Sequence, residues 1–165
     1  MKTTQDIARF EKEILLKAPQ HRVWLALTDA RQFGEWFHAR IDTPFAAGKS
    51  VTGKITAPGF EHIALQLTVE RLRPERLFCF RWHPYAIDPD VDYSGEATTL
   101  VEFMLDDVQG QTLLTVAESG FDQLPAARQS EAYQMQSKGW AQQLENIQAY
   151  LRDNSKDNSK DNIDR

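Results

Sequence analysis

Glu118 is the side chain whose type and spacing point most directly to chemistry. It shares strand parity with Leu114 and Val116, so a regular strand from Gln111 to Ser119 turns its carboxyl toward the apolar side. A carboxylate placed there loses hydration and its pKa rises, unless a cation or a hydrogen-bond donor meets it. The plainer alternative is a strand-end Glu that reaches solvent or pairs with Arg81. His62, His83 and Tyr133 are the other polar groups able to converge on an apolar pocket, and His62 or Tyr133 could share acid–base work with Glu118. Around them stand Trp36, Phe37, Phe80, Trp82, Phe103, Phe121 and Trp140, spread over strands and helices. Taken singly, each ring reads as core packing. Taken together with a few polar groups, they match the make-up of a pocket for a small apolar or aromatic molecule. The candidate ligand-binding set is therefore these seven rings with Tyr133 and Glu118, the carboxyl orienting a ligand's polar end.

Other chemistries find little support. The sequence holds no Gly-x-Ser-x-Gly elbow, no phosphate-binding glycine loop and no dinucleotide fingerprint. No catalytic residue is assigned and no cofactor is expected; any enzymatic step would be acid–base work on a bound molecule. Histidines at 21, 38, 62 and 83 lack the spacing of metal ligands. Asp88, Asp90 and Asp92 alternate as in a calcium loop, but Tyr93 stands where an EF-hand needs glycine and Thr99 where it needs glutamate. A solvated acidic loop is the better reading, and its length suits a mouth or lid. Cys79 is the single cysteine, which excludes an intrachain disulfide, and Leu77-Phe78-Cys79-Phe80 suggests a buried, inert thiol. A net charge of -5 and the lack of any Lys/Arg cluster argue against nucleic acid. Met1 to Glu13 carries acids and no long apolar stretch, and no 18-residue apolar run follows, so neither a leader nor a membrane span is expected. A cytoplasmic location fits.

The elements that must position the candidates follow from periodicity. Ala8 to Lys17 reads as a strand, and Pro19 opens a short helix from about Gln20 to Asp29. A second turn, Ala30 to Glu35, leads into Trp36-Phe37. Strands are expected at Lys49–Ala57, His62–Leu72, Arg76–His83, Thr98–Asp106 and Gln111–Ser119, with a hairpin turn around Gly110. A long amphipathic helix from Ala126 to Leu151 carries Tyr133, Trp140, Leu144, Ile147 and Leu151 on one face. Gly139, beside Trp140, suggests a close approach of helix and sheet. Residues 1–152 form one domain, and the polar repeat 153–165 is expected to be disordered. Hairpin-length connections exclude parallel crossovers, so the class is α+β.

Several segments carry a resemblance. They are Ala18-Pro19-Gln20-His21-Arg22-Val23-Trp24-Leu25-Ala26-Leu27-Thr28-Asp29, Trp36-Phe37, Phe78-Cys79-Phe80-Arg81-Trp82 and Thr99-Leu100-Val101-Glu102-Phe103. Thr115-Val116-Ala117-Glu118-Ser119-Gly120-Phe121 and Gly139-Trp140 with Leu144 complete it. In their order and spacing the chain resembles the START-like (SRPBCC, helix-grip) superfamily. Within it, the chain is similar to Aha-type homologues of the heat-shock ATPase activator. The resemblance implies a curved antiparallel sheet of six or seven strands gripping the C-terminal helix, with a cavity between them. It leaves three functions open: binding of a small apolar or aromatic ligand, a chaperone-associated interaction module, or a cyclase- or dehydratase-like enzyme using a pocket carboxylate. Either a monomer or a homodimer is compatible with it.

Overall fold

The computed structural model describes residues 8–154. Strand β1 (Arg9–Leu16) turns Phe10 and Leu16 inward and Glu11, Glu13 and Leu15 outward. Helix α1 (Gln20–Thr28) begins where the Pro19 carbonyl accepts from the amides of Arg22 and Val23. Helix α2 (Ala30–Phe37) is capped by Asp29, whose carboxylate accepts from the Gln32 amide at 3.1 Å. It runs past the expected Glu35, so Trp36 and Phe37 are helical. His38, at φ 64°, ends it. Gly34 allows the next segment to cross, because a Cβ there would collide with the Ala39 carbonyl oxygen.

The strands are β2 (Ala39–Ile41), β3 (Ser50–Ile55), β4 (Ala64–Arg73), β5 (Leu77–Trp82), β6 (Thr99–Val108) and β7 (Gln111–Ser119). All pair antiparallel in the order β1-β7-β6-β5-β4-β3-β2. The sequence reading missed β2, whose three residues are too short to show periodicity. The β6–β7 connection is the two-residue turn Gln109-Gly110, with φ of 54° and 85°. Two positive φ values match the right-handed twist of the flanking strands. A bulge between Val69 and Arg71 shifts the β4 register, so Leu72 rather than Arg71 pairs beside Phe78.

A 3₁₀ turn (Phe121–Gln123) leads into helix α3 (Ala126–Asp153), which buries Tyr133, Trp140, Leu144, Ile147 and Leu151. This is the α+β helix-grip arrangement. Gly139 does not serve a close approach, since a Cβ there would meet nothing within 4 Å. Its neighbour Trp140 faces the sheet while Gly139 faces solvent. Of the polar tail expected from Asp153 onward, Asp153 ends the helix and Asn154 caps it; residues 155–165 lie outside the described residues.

Candidate functional site

Strand β7 delivers Glu118 to the interior. Its cross-strand neighbours are Phe10 on β1 and Val101 on β6, and the side chain is fully buried. It neither reaches solvent nor meets Arg81, which pairs with Glu70 at 2.6 Å on the outer face. The carboxyl instead accepts from neutral donors on three elements. Trp82 Nε1 on β5 donates to Oε2 at 2.9 Å, and Thr99 Oγ1 on β6 donates to the same oxygen at 2.6 Å. From α3, Trp140 Nε1 donates to Oε1 at 2.8 Å, while the Gln136 amide spans both oxygens at 3.0 and 3.3 Å. Among the described residues no Lys, Arg or His forms an ion pair with it. Burial pushes the Glu118 carboxyl above the ordinary carboxylate range, and the bonds from Thr99, Trp82, Trp140 and Gln136 pull against that rise. An indole N–H only donates, so each oxygen already carries one obligate donor. The network therefore fits the ionised form, and a proton on Glu118 would require Thr99 or Gln136 to reverse roles.

The aromatic candidates divide into two groups. Trp82 and Trp140 stack at 5.8 Å and 26°, with Phe37 6.1 and 6.0 Å from their rings. Phe80 packs edge-on to Trp82 and Phe103 edge-on to Trp140. Trp36 reaches this group through Phe37 at 5.8 Å, while its indole is tied to the Ala26 carbonyl at 2.8 Å. Phe121 and Tyr133 stand on the other side, in a trio with Phe10 whose centroids lie 5.5–5.7 Å apart. Phe10 is the register partner of Glu118, so the carboxyl sits where the two groups adjoin. The rings lie in stacked, tilted and edge contact between sheet and helix where the set meets. Open depressions lie elsewhere: one of about 260 Å³ beside Tyr85, Tyr93, Arg128 and Glu131, and one of about 390 Å³ between Lys12–Ile14 and Ala141–Glu145.

Two members of the network escaped the sequence reading. Gln136 lies four residues before Trp140, which puts both on one helix face, and that spacing was the available signal. Thr99 opens β6 with parity matching Val101 and Phe103, but a lone threonine announces no role. His62 lies exposed in the β3–β4 turn, and His83 sits 3.1 Å from the Glu96 carbonyl; neither bonds to Glu118. None of the four donors titrates near neutrality, so the network positions a carboxyl rather than forming an acid–base pair. Cys79 is buried on the opposite face, and burial with the nearby Glu102 and Glu70 charges raises its thiol pKa. No group of three metal-ligating side chains converges among the described residues.

The acidic loop after β5 is held by Arg128 of α3. Its guanidinium donates to Glu96 at 3.0 Å and to the Pro84 and Tyr85 carbonyls at 3.0 and 3.1 Å, and lies 4.7 Å over the Tyr93 ring. Asp88 and Asp92 accept from the loop amides of Asp90 and Ser94.

The family described as Activator of Hsp90 ATPase homolog 1-like protein matches residues 17–152. The chain belongs to this family. Every residue of the Glu118 network, from Trp82 and Thr99 to Gln136 and Trp140, falls within that match. Solved structures with the same fold as this family member include a Mesorhizobium loti protein (23% identity, 87% of this chain, 96% of that one, TM-score 0.69). An Arthrobacter aurescens protein solved in solution aligns with TM-score 0.73 at 17% identity, over 93% of this chain and 90% of its own. The Aha1 dimer from Colwellia psychrerythraea aligns with TM-score 0.63 at 20% identity, covering 87% and 95%. At these identities the likeness carries the fold alone. Comparison with curated proteins gives no match. No helix among the described residues is long and apolar enough to cross a membrane.

Proposed function

We propose that this Activator of Hsp90 ATPase homolog 1-like chain binds a small apolar or aromatic ligand between the sheet and α3. Trp36, Phe37, Phe80, Trp82, Phe103, Phe121, Tyr133 and Trp140 supply the apolar walls, and Glu118 receives the polar end. The observation that carries the reading is a fully buried carboxyl that accepts bonds from four neutral side chains and has no ion-pair partner among the described residues. Burying a charge is costly, and packing alone gains nothing from it that an apolar residue would not supply. The carboxyl is fully buried, so a ligand reaches it by displacing side chains. The test is native mass spectrometry of protein purified from its own host. A defined adduct of a few hundred daltons, identified after extraction, is the expected result, and a clean unliganded mass would count against the reading.

A second reading is favoured by the family match: an interaction module that stimulates a chaperone ATPase, acting in the cytoplasm as a monomer or homodimer. The Colwellia neighbour, described as a dimer, supports the homodimeric form of this reading. A pull-down that recovers a chaperone ATPase, with stimulation of its turnover by added protein, is its expected signature.

A further inference from the structure

The three donors other than Gln136 are held by what surrounds them. Thr99 is fully buried at the head of β6, and the Trp140 ring is buried. The Trp82 ring is half-buried but stacked on Trp140 and edge-packed on Phe80. Gln136 differs. It is half-buried, sits on one helix face by a flexible stem, and lays its amide across both carboxyl oxygens. Phe37, Trp82 and Gln136 are the half-buried members of the group, so they mark the side from which the carboxyl can be reached. The amide occupies the position of a head group with several N–H donors, but it brings no charge. When ionised, the Glu118 carboxyl has only neutral donors around it among the described residues, and a charge-assisted bond is roughly twice as strong as a neutral one.

We propose that the head group recognised at Glu118 is a primary ammonium carried on an aromatic or apolar body, and that it enters by displacing the Gln136 amide. This inference rests on the ligand-binding reading above. An ammonium bonds across both oxygens as the amide does, and supplies the counter-charge that no described residue supplies. Its body then lies against Phe37 and Trp82, the rings on the reachable side. A neutral alcohol of the same shape exchanges one uncharged donor for another and gains little.

The indole N–H groups of Trp82 and Trp140 report directly on the site, because both donate to Glu118. The experiment is a ¹⁵N NMR titration of the full chain with benzylammonium and, separately, with benzyl alcohol. It is run on the wild type and on Gln136→Ala. Benzylammonium is expected to shift both indole signals saturably and to bind on the order of tenfold or more tighter than the alcohol. Binding is expected to tighten in Gln136→Ala, where the displaced amide is gone, and Glu118→Gln is expected to abolish the preference for the ammonium. Equal affinities for the two probes would overturn the ammonium head while leaving the site standing. Weaker ammonium binding by Gln136→Ala would overturn the displacement route. Indole signals unmoved by either probe in both proteins would overturn this inference and the ligand-binding reading together. Should Glu118→Gln fail to fold, as its own indole dispersion would show, the comparison of probes on the wild type still decides.

Discussion

Glu118 and Arg128 are both ionisable groups drawn in from solvent, and they are treated in opposite ways. Arg128 is given a carboxylate partner, two backbone carbonyls and an aromatic face, which satisfy charge and hydrogen bonds together. Glu118, buried more deeply, is given hydrogen bonds alone among the described residues. A charge neutralised on all sides fastens a loop. A charge satisfied only by neutral donors retains an attraction for a cation, and the proposed function rests on that difference.

The largest effect is expected from removing the Glu118 carboxyl. Glu118→Ala strands two indole N–H groups, the Thr99 hydroxyl and the Gln136 amide beside a new void, and should cost about 3–5 kcal/mol in denaturant unfolding. Arg128→Ala should cost less, about 1.5–3 kcal/mol for a charged group with its bonds. Its amide-exchange protection should fall in residues 83–98 while the indole signals stay in place. Arg128→Lys should not restore the protection, because a single ammonium cannot reach Glu96 and both carbonyls while stacking on Tyr93. A stability loss spread evenly over the molecule would break the contrast between Arg128 and Glu118.

The pH dependence sharpens the same contrast. Burial raises the Glu118 carboxyl above its ordinary value of 4.5 in the folded chain, so the folded state holds that proton to higher pH than the unfolded state. The stability this group contributes is complete below the ordinary carboxylate value and is lost as pH rises through the raised folded-state value. The stability of wild type minus that of Glu118→Gln should therefore fall as pH is raised through that window, read from urea midpoints at each pH. A flat difference would mean that the four donors fully offset desolvation. The smallest change expected is Gly139→Ala, which places a Cβ in open space one residue before Trp140. It should stabilise the chain by about 0.5–1 kcal/mol with both regions unaltered, and any disturbance of the indole signals would contradict the open position of that glycine.

The fold was legible where periodicity runs long. Alternation in Thr98–Asp106 and Gln111–Ser119, and the helical stripe from Tyr133 to Leu151, placed the hairpin and the buried helix face, although β6 runs two residues further, to Val108. Strand β2 was not legible, because pairing with β3 and not pattern holds three residues in place. The inward direction of Glu118 followed from parity with Leu114 and Val116, but its partners did not. Trp82, Thr99 and Gln136 lie 36, 19 and 18 residues away, and only the sheet register and the helix crossing bring them together. The division of the rings into two groups escaped for the same reason, since Phe121 and Tyr133 meet Phe10 from the far end of the chain. Gly139 misled because a helical glycine beside a buried tryptophan suggests tight packing, and here the two side-chain positions point apart.

The most direct test of the central claim is native mass spectrometry of three proteins produced in the original host: wild type, Glu118→Gln and Arg128→Ala. The account predicts the same bound mass on wild type and Arg128→Ala and its loss from folded Glu118→Gln. A bound mass retained by Glu118→Gln, or none on the wild type, would contradict the assignment of Glu118 as the group that receives the ligand.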